Sequence, residues 1–185
     1  MELSMWSYGS KKPRQCIKDL FVLISQAHAL NDHFQACVEQ WAKPPGSSTE
    51  TGTVIHSCPP KRLSRSIEKL HRSYRGDAGR LIDLVRSAIT FDDFDMLVAC
   101  VKGIVANPEV AILNYKNRFA ADYDSSTSAG YRNVSISLII VDDFTMGKRL
   151  DRHVCELQLG LKVLNKLKKD GGHKRYVQWR NLRAE

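Results

Sequence analysis

A carboxylate and an amide alternate with apolar side chains in the segment Cys155-Glu156-Leu157-Gln158-Leu159. Alternate side chains of an extended chain share a face, so Glu156 and Gln158 lie side by side, opposite the three apolar residues. This pattern is typical of a solvated strand face. It would also suit a site in which the carboxylate holds a metal ion or accepts a proton and the amide orients it. Periodicity alone leaves both interpretations open.

A second candidate is a basic amphipathic helix predicted for residues 61–75, directly after Pro59-Pro60. Apolar residues recur at helical spacing on one side, and cations occupy another. Several cations on one short helix fit a binding surface for a polyphosphate, although a solvated basic face has the same composition. The cations are Lys61, Arg62, Arg65, Lys69 and Arg72.

The size and composition of the chain predict one globular domain over residues 1–185. Its 185 residues are 43% hydrophobic and 26% charged, which is ordinary for a soluble protein with a sizeable core. No apolar run has the length of a membrane span, and the N-terminus lacks the order of a signal peptide. Five scattered cysteines without a CxxC pair give no zinc spacing and favour a reduced compartment. We therefore predict a cytoplasmic protein with no membrane partner.

The chain is basic, and its charges are clustered. Lys and Arg number 28 against 20 Asp and Glu, so the formal net charge is +8. Such a surface favours anionic partners. The basic residues concentrate at 61–75 and 162–183, whereas acidic residues gather at 92–95 and 142–143. Clustering favours a defined anion site over general attraction.

The order of elements predicts an α+β fold. Helical periodicity comes first, as one long helix or two helices broken near Asn31, and strands then interleave with helices. Three consecutive strands without long crossovers indicate antiparallel pairing. We predict a mostly antiparallel mixed sheet of about four to five strands flanked by helices. Strands are predicted at 87–91, 110–118, 131–141 and 152–160, helices at 14–42, 61–75, 77–86, 93–105, 161–170 and 173–183, and a loop at 43–60.

Six short motifs occur in an order that resembles a known family. They are SIEKL, LVRSAITF, KNRF, GYRNV, CELQL and GHKRY. Together they resemble the synthetase domain of the RelA/SpoT family over residues 58–180, leaving the helical part at 14–42 outside. The resemblance implies a nucleotidyltransferase-like fold that transfers pyrophosphate from ATP to the 3′-hydroxyl of GDP or GTP. It also implies Mg²⁺ as cofactor, ATP and a purine nucleotide as partners, and leaves a homo-oligomer open.

The same resemblance implies roles for five residues around the acceptor nucleotide. Glu156 in CELQL matches the glutamate that binds Mg²⁺ and helps to activate the attacking hydroxyl, and Gln158 matches the glutamine beside it. Tyr131 in GYRNV matches the tyrosine that stacks on the acceptor guanine. His173 and Tyr176 in GHKRY resemble a late pair near that pocket.

The resemblance further implies a set of nucleotide-binding cations. One matches the arginine that enters the first central strand, three fall where the ATP phosphates are bound, and two precede the tyrosine loop. In that order they are Arg86; Lys61, Arg65 and Lys69; and Lys116 and Arg118.

The sequence also departs from the family pattern. The aspartate that binds Mg²⁺ lies five residues before the arginine in the family, but that position is Leu81 here. Asp83, three residues before Arg86, is the candidate second metal ligand. Ser135 replaces a histidine and Gly160 an arginine. These changes imply altered substrate choice or lost activity.

The sequence supports three functional hypotheses. The first is a small alarmone-synthetase-like pyrophosphokinase without the metal motif of a hydrolase domain. A variant of this hypothesis is transfer of pyrophosphate to tRNA. The net charge and the lysines between residues 162 and 174 suit an RNA partner. The second is a degenerate, non-catalytic module that binds nucleotide or RNA. The third is a basic interaction protein in which the sheet is only a scaffold.

Overall fold

The structure is a computed structural model that describes residues 12–43, 53–128 and 130–167. The predicted helix at 173–183, with His173 and Tyr176, lies outside this part. The elements are α1 (Leu20–Trp41), β1 (Val54–Ser57), α2 (Leu63–Tyr74), β2 (Val85–Phe91), α3 (Phe94–Ala106), β3 (Val110–Asn117), β4 (Val134–Ile140), α4 (Asp143–Gly147), β5 (Cys155–Leu161) and α5 (Lys162–Leu167).

The first helix is continuous through Asn31. Its start is fixed by Asp19, whose side chain accepts a hydrogen bond from the Val22 amide at 3.0 Å and so satisfies a free N-terminal donor. Its buried residues recur every three or four positions, as an amphipathic helix requires. They include Leu23, Ala27, Leu30, Phe34 and Val38.

The five strands form one mixed sheet in the order β1-β2-β5-β4-β3. Only β2 and β5 pair in parallel among the described strands, and the other three pairings are antiparallel. The predicted α+β class and mostly antiparallel sheet are therefore confirmed. The helices α1 and α3 contact each other and pack on one face of the sheet, over its buried apolar side chains such as Ile89, Ile136 and Leu157.

Two local predictions are wrong. The segment predicted as a loop at 43–60 contains β1, which pairs along β2 from Val54 opposite Thr90 to Ser57 opposite Ser87. This four-residue strand has no strong pattern of its own and is defined by its partner. The helix predicted at 77–86 is instead a single turn, Ala78–Arg80, after which the chain extends into β2. Asp77 does cap that turn, through the Gly79 amide at 3.2 Å.

The five cysteines are free thiols in this structure, and two of them, Cys100 and Cys155, are buried. None of the helices within 12–43, 53–128 and 130–167 combines the length and the apolar character needed to cross a bilayer.

Candidate active site

The sheet face away from α1 and α3 carries two rows of mostly polar side chains that run across the strands. Register places the members of each row directly opposite one another, where side chains of neighbouring strands can interact. The first row is Arg86, Glu156, Ser137 and Asn114. The second row is His56, Ala88, Gln158, Ser135 and Lys116.

An irregularity in β3 allows that strand to join both rows. The register shifts between Ile112, which is opposite the core residue Leu138, and Asn114, which is opposite Ser137. Strict alternation would have placed Asn114 on the same side as Ile112. A bulge of one extra residue reverses the facing of the residues beyond it. Lys116 therefore lies in the second row, beside Ser135.

Glu156 is held at the centre of this face by neutral donors on both of its oxygens. Ser135 Oγ donates to Oε1 at 3.0 Å, and Gln158 Nε2 donates to Oε2 at 3.1 Å. An ionised carboxylate offers about four acceptor positions, so two remain for a cation or a proton. The amide predicted to orient the carboxylate does contact it, and the serine that replaces a histidine acts as a second support.

Arg86 lies on the neighbouring parallel strand, directly opposite Glu156. Its Nε–H is buried and has no hydrogen-bond partner among the residues that the structure describes. A buried donor without an acceptor is costly, because it has lost its water without replacement. An anionic ligand in the adjoining cavity would supply the acceptor.

That cavity has a volume of about 480 Å³, within the size range of small-molecule sites. Glu156 itself is beside the cavity rather than in its wall, but its partner Gln158 and its neighbour Arg86 both line it. β1, β2, β5, α5 and the loop before β4 contribute the wall. Polar lining residues include His56, Arg86, Thr90, Tyr131, Gln158 and Asn165.

Tyr131 lines this cavity from a loop that is held by a hydrogen bond to its backbone. Gly130 precedes it with φ +81°, a left-handed conformation that glycine adopts without strain. The Ser128 hydroxyl donates to the Tyr131 carbonyl at 2.7 Å. Burial raises the pKa of the Tyr131 phenol, with Arg118 opposing this effect and Glu156 adding to it. The ring, the guanidinium of Arg118 and the Glu156 carboxylate are therefore electrostatic neighbours, as a joint site requires.

Three predicted site residues meet in a separate cluster. Asp83 Oδ2 accepts from Lys61 Nζ at 2.5 Å and from Lys69 Nζ at 2.9 Å. The three side chains are only 13%, 10% and 27% exposed, respectively. Burial alone would raise the pKa of Asp83, but the charges of Lys69 and Lys61 outweigh it and lower the pKa to about 2. Asp83 is therefore ionised and paired at neutral pH.

The remaining predicted cations lie in more open positions. Arg65 is 69% exposed and pairs with Glu68 at 2.7 Å. Arg118 donates to Asn133 Oδ1 at 2.7 Å, which ties the end of β3 to the start of β4. Lys116 is exposed at the edge of the second row. His173 and Tyr176 lie outside the described residues.

Comparison with known proteins places this geometry in a known fold. No protein-family model and no curated protein sequence matches the chain. Among solved structures, small alarmone synthetase 1 from Bacillus subtilis bound to its product pppGpp matches with a TM-score of 0.56 and 14% identity, over 89% of this chain and 86% of that one. Small alarmone synthetase 2 from the same organism matches with a TM-score of 0.57 and 16% identity, over 88% and 80%. This chain has the fold of the small alarmone synthetases.

A type VI effector has a similar fold. The type VI effector Tas1, crystallised with its immunity protein, matches with a TM-score of 0.54 and 18% identity. The match covers 84% of this chain and 66% of Tas1. The predicted resemblance to the RelA/SpoT synthetase domain is thus confirmed for the fold.

Two carboxylates, Glu156 and Asp83, are the candidate ligands for Mg²⁺ in this fold. Mg²⁺ prefers oxygen ligands and is usually bound through one or two carboxylates together with phosphates and water. Glu156 fits, because it is the carboxylate of the two polar rows and keeps acceptor positions open. Asp83 fits less well, since one oxygen already carries two ammonium groups. Its Oδ1 is buried without a hydrogen-bond partner in the described part, so its role as a second ligand stays a prediction.

Several residues of the site escaped the sequence interpretation. His56 and its contact to Thr90, at 3.1 Å, were missed because β1 was predicted as a loop. Asn165, 3.4 Å from His56, is on a helix that was read only for its lysines. Ser135 was noted as a loss, although its position in an alternating strand opposite Gln158 is what lets it reach Glu156. Strand pairing was the missing information for His56 and Ser135, and the contact of α5 with β1 was the missing information for Asn165.

Proposed function

We propose that this protein is a nucleotide pyrophosphokinase that transfers pyrophosphate from ATP to the 3′-hydroxyl of a purine nucleotide, GDP or GTP. The observation that carries the proposal is Glu156, held by Ser135 and Gln158 beside a cavity and opposite Arg86. The alarmone-synthetase fold supports it, because a protein of that fold was crystallised with pppGpp as its product. The proposal includes ATP and GTP binding and a cytoplasmic location.

The reaction forms a bond between the acceptor 3′-oxygen and the β-phosphorus of ATP, and it breaks the bond from that phosphorus to the α-phosphate oxygen. AMP leaves, and the hydroxyl proton is lost. Such transfers depend on positioning and on neutralising charge more than on covalent chemistry. The chain must therefore align two nucleotides and offer cations and an acceptor for the proton.

Glu156 is the residue that would hold Mg²⁺, and the bound ion would neutralise phosphate charge during transfer. Ser135 and Gln158 keep the carboxylate in one orientation, so little reorganisation is needed as the reaction proceeds. The free acceptor positions of Glu156 also allow it to receive a hydrogen bond from the attacking hydroxyl. Arg86 supplies a buried donor for a phosphate oxygen.

The two nucleotides are assigned to different parts of the chain. Tyr131 lines the cavity and offers an aromatic face for the acceptor base, with His173 and Tyr176 proposed near it from the family resemblance. Lys61 and Lys69 would meet the ATP phosphates by exchanging part of their interaction with Asp83. Arg65 and Lys116 are exposed and free of the burial that limits the two lysines.

The test is a direct assay of product. The protein is incubated with labelled ATP, Mg²⁺ and GDP, GTP, ADP or tRNA, and 3′-pyrophosphorylated product is sought. We expect product with a guanine nucleotide, none from Glu156→Ala, and wild-type amounts from Glu39→Gln, which removes an exposed carboxylate on α1. No product with any acceptor would contradict the proposal.

A second candidate is a non-catalytic module that binds nucleotide or RNA. The observation in its favour is that Asp83 already neutralises Lys61 and Lys69, two cations proposed for the ATP phosphates. Calorimetric binding of ATP or RNA without turnover would select this candidate. Product with tRNA alone would select the tRNA-modifying variant, which the charge of +8 favours.

A further inference from the structure

Three side chains of different chemistry converge where α1 meets the start of α4. His33 and Cys37 are one helical turn apart on α1 and therefore share a face. Asp142 is the N-cap of α4. His33 Nε2 lies 2.6 Å from Asp142 Oδ2 and 3.9 Å from Cys37 Sγ, and the three ligand atoms all lie within 4.8 Å of one another. None of these residues belongs to the candidate active site.

Two of the three side chains are already held in place by neighbours. Asp142 Oδ1 accepts from the Thr145 amide at 2.8 Å, which leaves Oδ2 directed at His33. The Phe144 ring stacks on the His33 ring with centroids 4.1 Å apart. Supporting contacts of this kind orient metal ligands in known sites, because they reduce the entropy lost on binding.

The charge around Cys37 also favours a cation. Burial, followed by the negative charges of Asp142 and Glu109, raises the pKa of the Cys37 thiol to about 11. Cys37 is therefore a neutral thiol and a poor nucleophile. The same two carboxylates would attract a divalent cation. Lys148 offsets part of this charge, since its ammonium lies 4.4 Å from the centroid of the Phe144 ring.

We propose that His33, Cys37 and Asp142 form a binding site for a borderline-soft divalent cation of the Zn²⁺ class, with water in a fourth position. A ligand set of one nitrogen, one sulfur and one oxygen suits Zn²⁺, with bonds of about 2.0–2.3 Å. Ligand atoms of a tetrahedral Zn²⁺ ion are about 3.2–3.7 Å apart, so the cluster must move by about 1 Å through side-chain rotation to close. Binding replaces the His33–Asp142 hydrogen bond with two metal bonds, moves the imidazole proton of His33 from Nε2 to Nδ1, and releases the Cys37 thiol proton to solvent.

Such an ion would connect elements far apart in sequence. His33 and Cys37 belong to α1, whereas Asp142 follows β4, more than a hundred residues later. Metal binding to the folded state alone would stabilise the protein by mass action. The role of the site would be structural, fixing α1 against the turn between β4 and α4.

The test is a Co²⁺ titration of the metal-free, reduced, full-length protein. We expect one equivalent to bind with a sulfur-to-cobalt charge-transfer band, and Zn²⁺ to displace it. Cys37→Ser and His33→Gln should abolish the band. The matched controls should leave the band intact. Cys16→Ser removes an exposed cysteine that precedes α1, and His28→Gln removes an exposed histidine on α1.

A second measurement separates binding from misfolding. We expect Zn²⁺ to raise the Tm of the wild type by several degrees and to leave the Tm of Cys37→Ser unchanged. Asp142→Asn keeps the oxygen that caps α4 and should weaken Zn²⁺ binding at least about tenfold, because loss of a partner that merely supports a ligand already costs about 10–100-fold. Absence of a charge-transfer band, its persistence in Cys37→Ser, or wild-type affinity in Asp142→Asn would each overturn the proposed site.

Discussion

Two carboxylates of this protein are treated in opposite ways by their surroundings. Glu156 receives hydrogen bonds from a serine and an amide, both neutral, and keeps open acceptor positions beside a cavity. Asp83 is buried and receives two ammonium groups on one oxygen. The neutral donors leave the charge of Glu156 available to a ligand, whereas the two ammonium groups neutralise the charge of Asp83. Both residues were candidate metal ligands, and only their environments separate them.

Asp83 allows this basic protein to carry a buried pair of cations. Lys61 and Lys69 would repel each other in a medium of low dielectric, and Asp83 between them offsets that repulsion. Burial lowers the pKa of Lys61 even so, with Asp83 opposing the shift. Asp83 therefore acts first as a counterion, and any catalytic use of the lysines depends on it.

The largest expected effect on stability comes from breaking the ion-paired carboxylate. Asp83→Asn leaves two buried ammonium groups without their counterion, and such losses cost about 3–5 kcal/mol in the free energy of unfolding. Urea unfolding at neutral pH measures it. The control is Glu156→Gln, which removes the carboxylate that has no ammonium partner in the described part of the chain and should change the free energy of unfolding by less than about 1 kcal/mol. A loss below about 1 kcal/mol for Asp83→Asn would show that the buried cluster is not what holds this region together.

A pH series sharpens the same contrast. The pKa of Asp83 is lowered from 3.8 to about 2 in the folded protein. A lowered folded-state pKa contributes stability that is complete above the unfolded value and is lost as pH falls through the folded one. We expect the stability difference between wild type and Asp83→Asn to shrink by about 2 kcal/mol as pH falls from 5 to 2. Urea unfolding of both proteins across this range tests it, and a constant difference would contradict the assignment.

A smaller effect is expected at the support of Glu156. Ser135→Ala removes the donor to Oε1, and a hydrogen bond to a charged group is worth about 1.5–3 kcal/mol. If that bond orients the carboxylate for transfer, kcat of the folded variant should fall about tenfold or more, and the free energy of unfolding should fall by no more than the bond is worth. Ser137→Ala is the matched control, since Ser137 is opposite Glu156 in register on the same strand as Ser135. A wild-type kcat in Ser135→Ala would remove Ser135 from the site.

Sequence reasoning succeeded where local pattern determines structure. The facing of Glu156 and Gln158 followed from alternation, and the bounds of α2 and α3 followed from helical periodicity. The strand β1 could not be predicted in this way, because its four residues become a strand only by pairing with β2. The stretch before Arg86 misled for a related reason, since Asp77 caps one short turn and gave a false signal for a longer helix.

The site required tertiary information that no local pattern holds. The basic segment 61–75 suggested that Lys61 and Lys69 face phosphate, but the fold brings Asp83 between them. Cysteine spacing alone likewise showed no metal site. The four-residue spacing of His33 and Cys37 places both on one face of a helix, whereas the third ligand, Asp142, comes from a turn that is distant in sequence.

The central claim is that Glu156 is the carboxylate on which pyrophosphate transfer depends and that its role is functional rather than structural. The most direct test is the rate of pyrophosphate transfer by Glu156→Gln at saturating ATP, Mg²⁺ and acceptor, together with its free energy of unfolding. We expect a rate on the order of 10²–10³-fold lower, as for the loss of one central electrostatic group, with stability within about 1 kcal/mol of wild type. A wild-type rate, or a loss of activity that merely accompanies unfolding, would contradict the account.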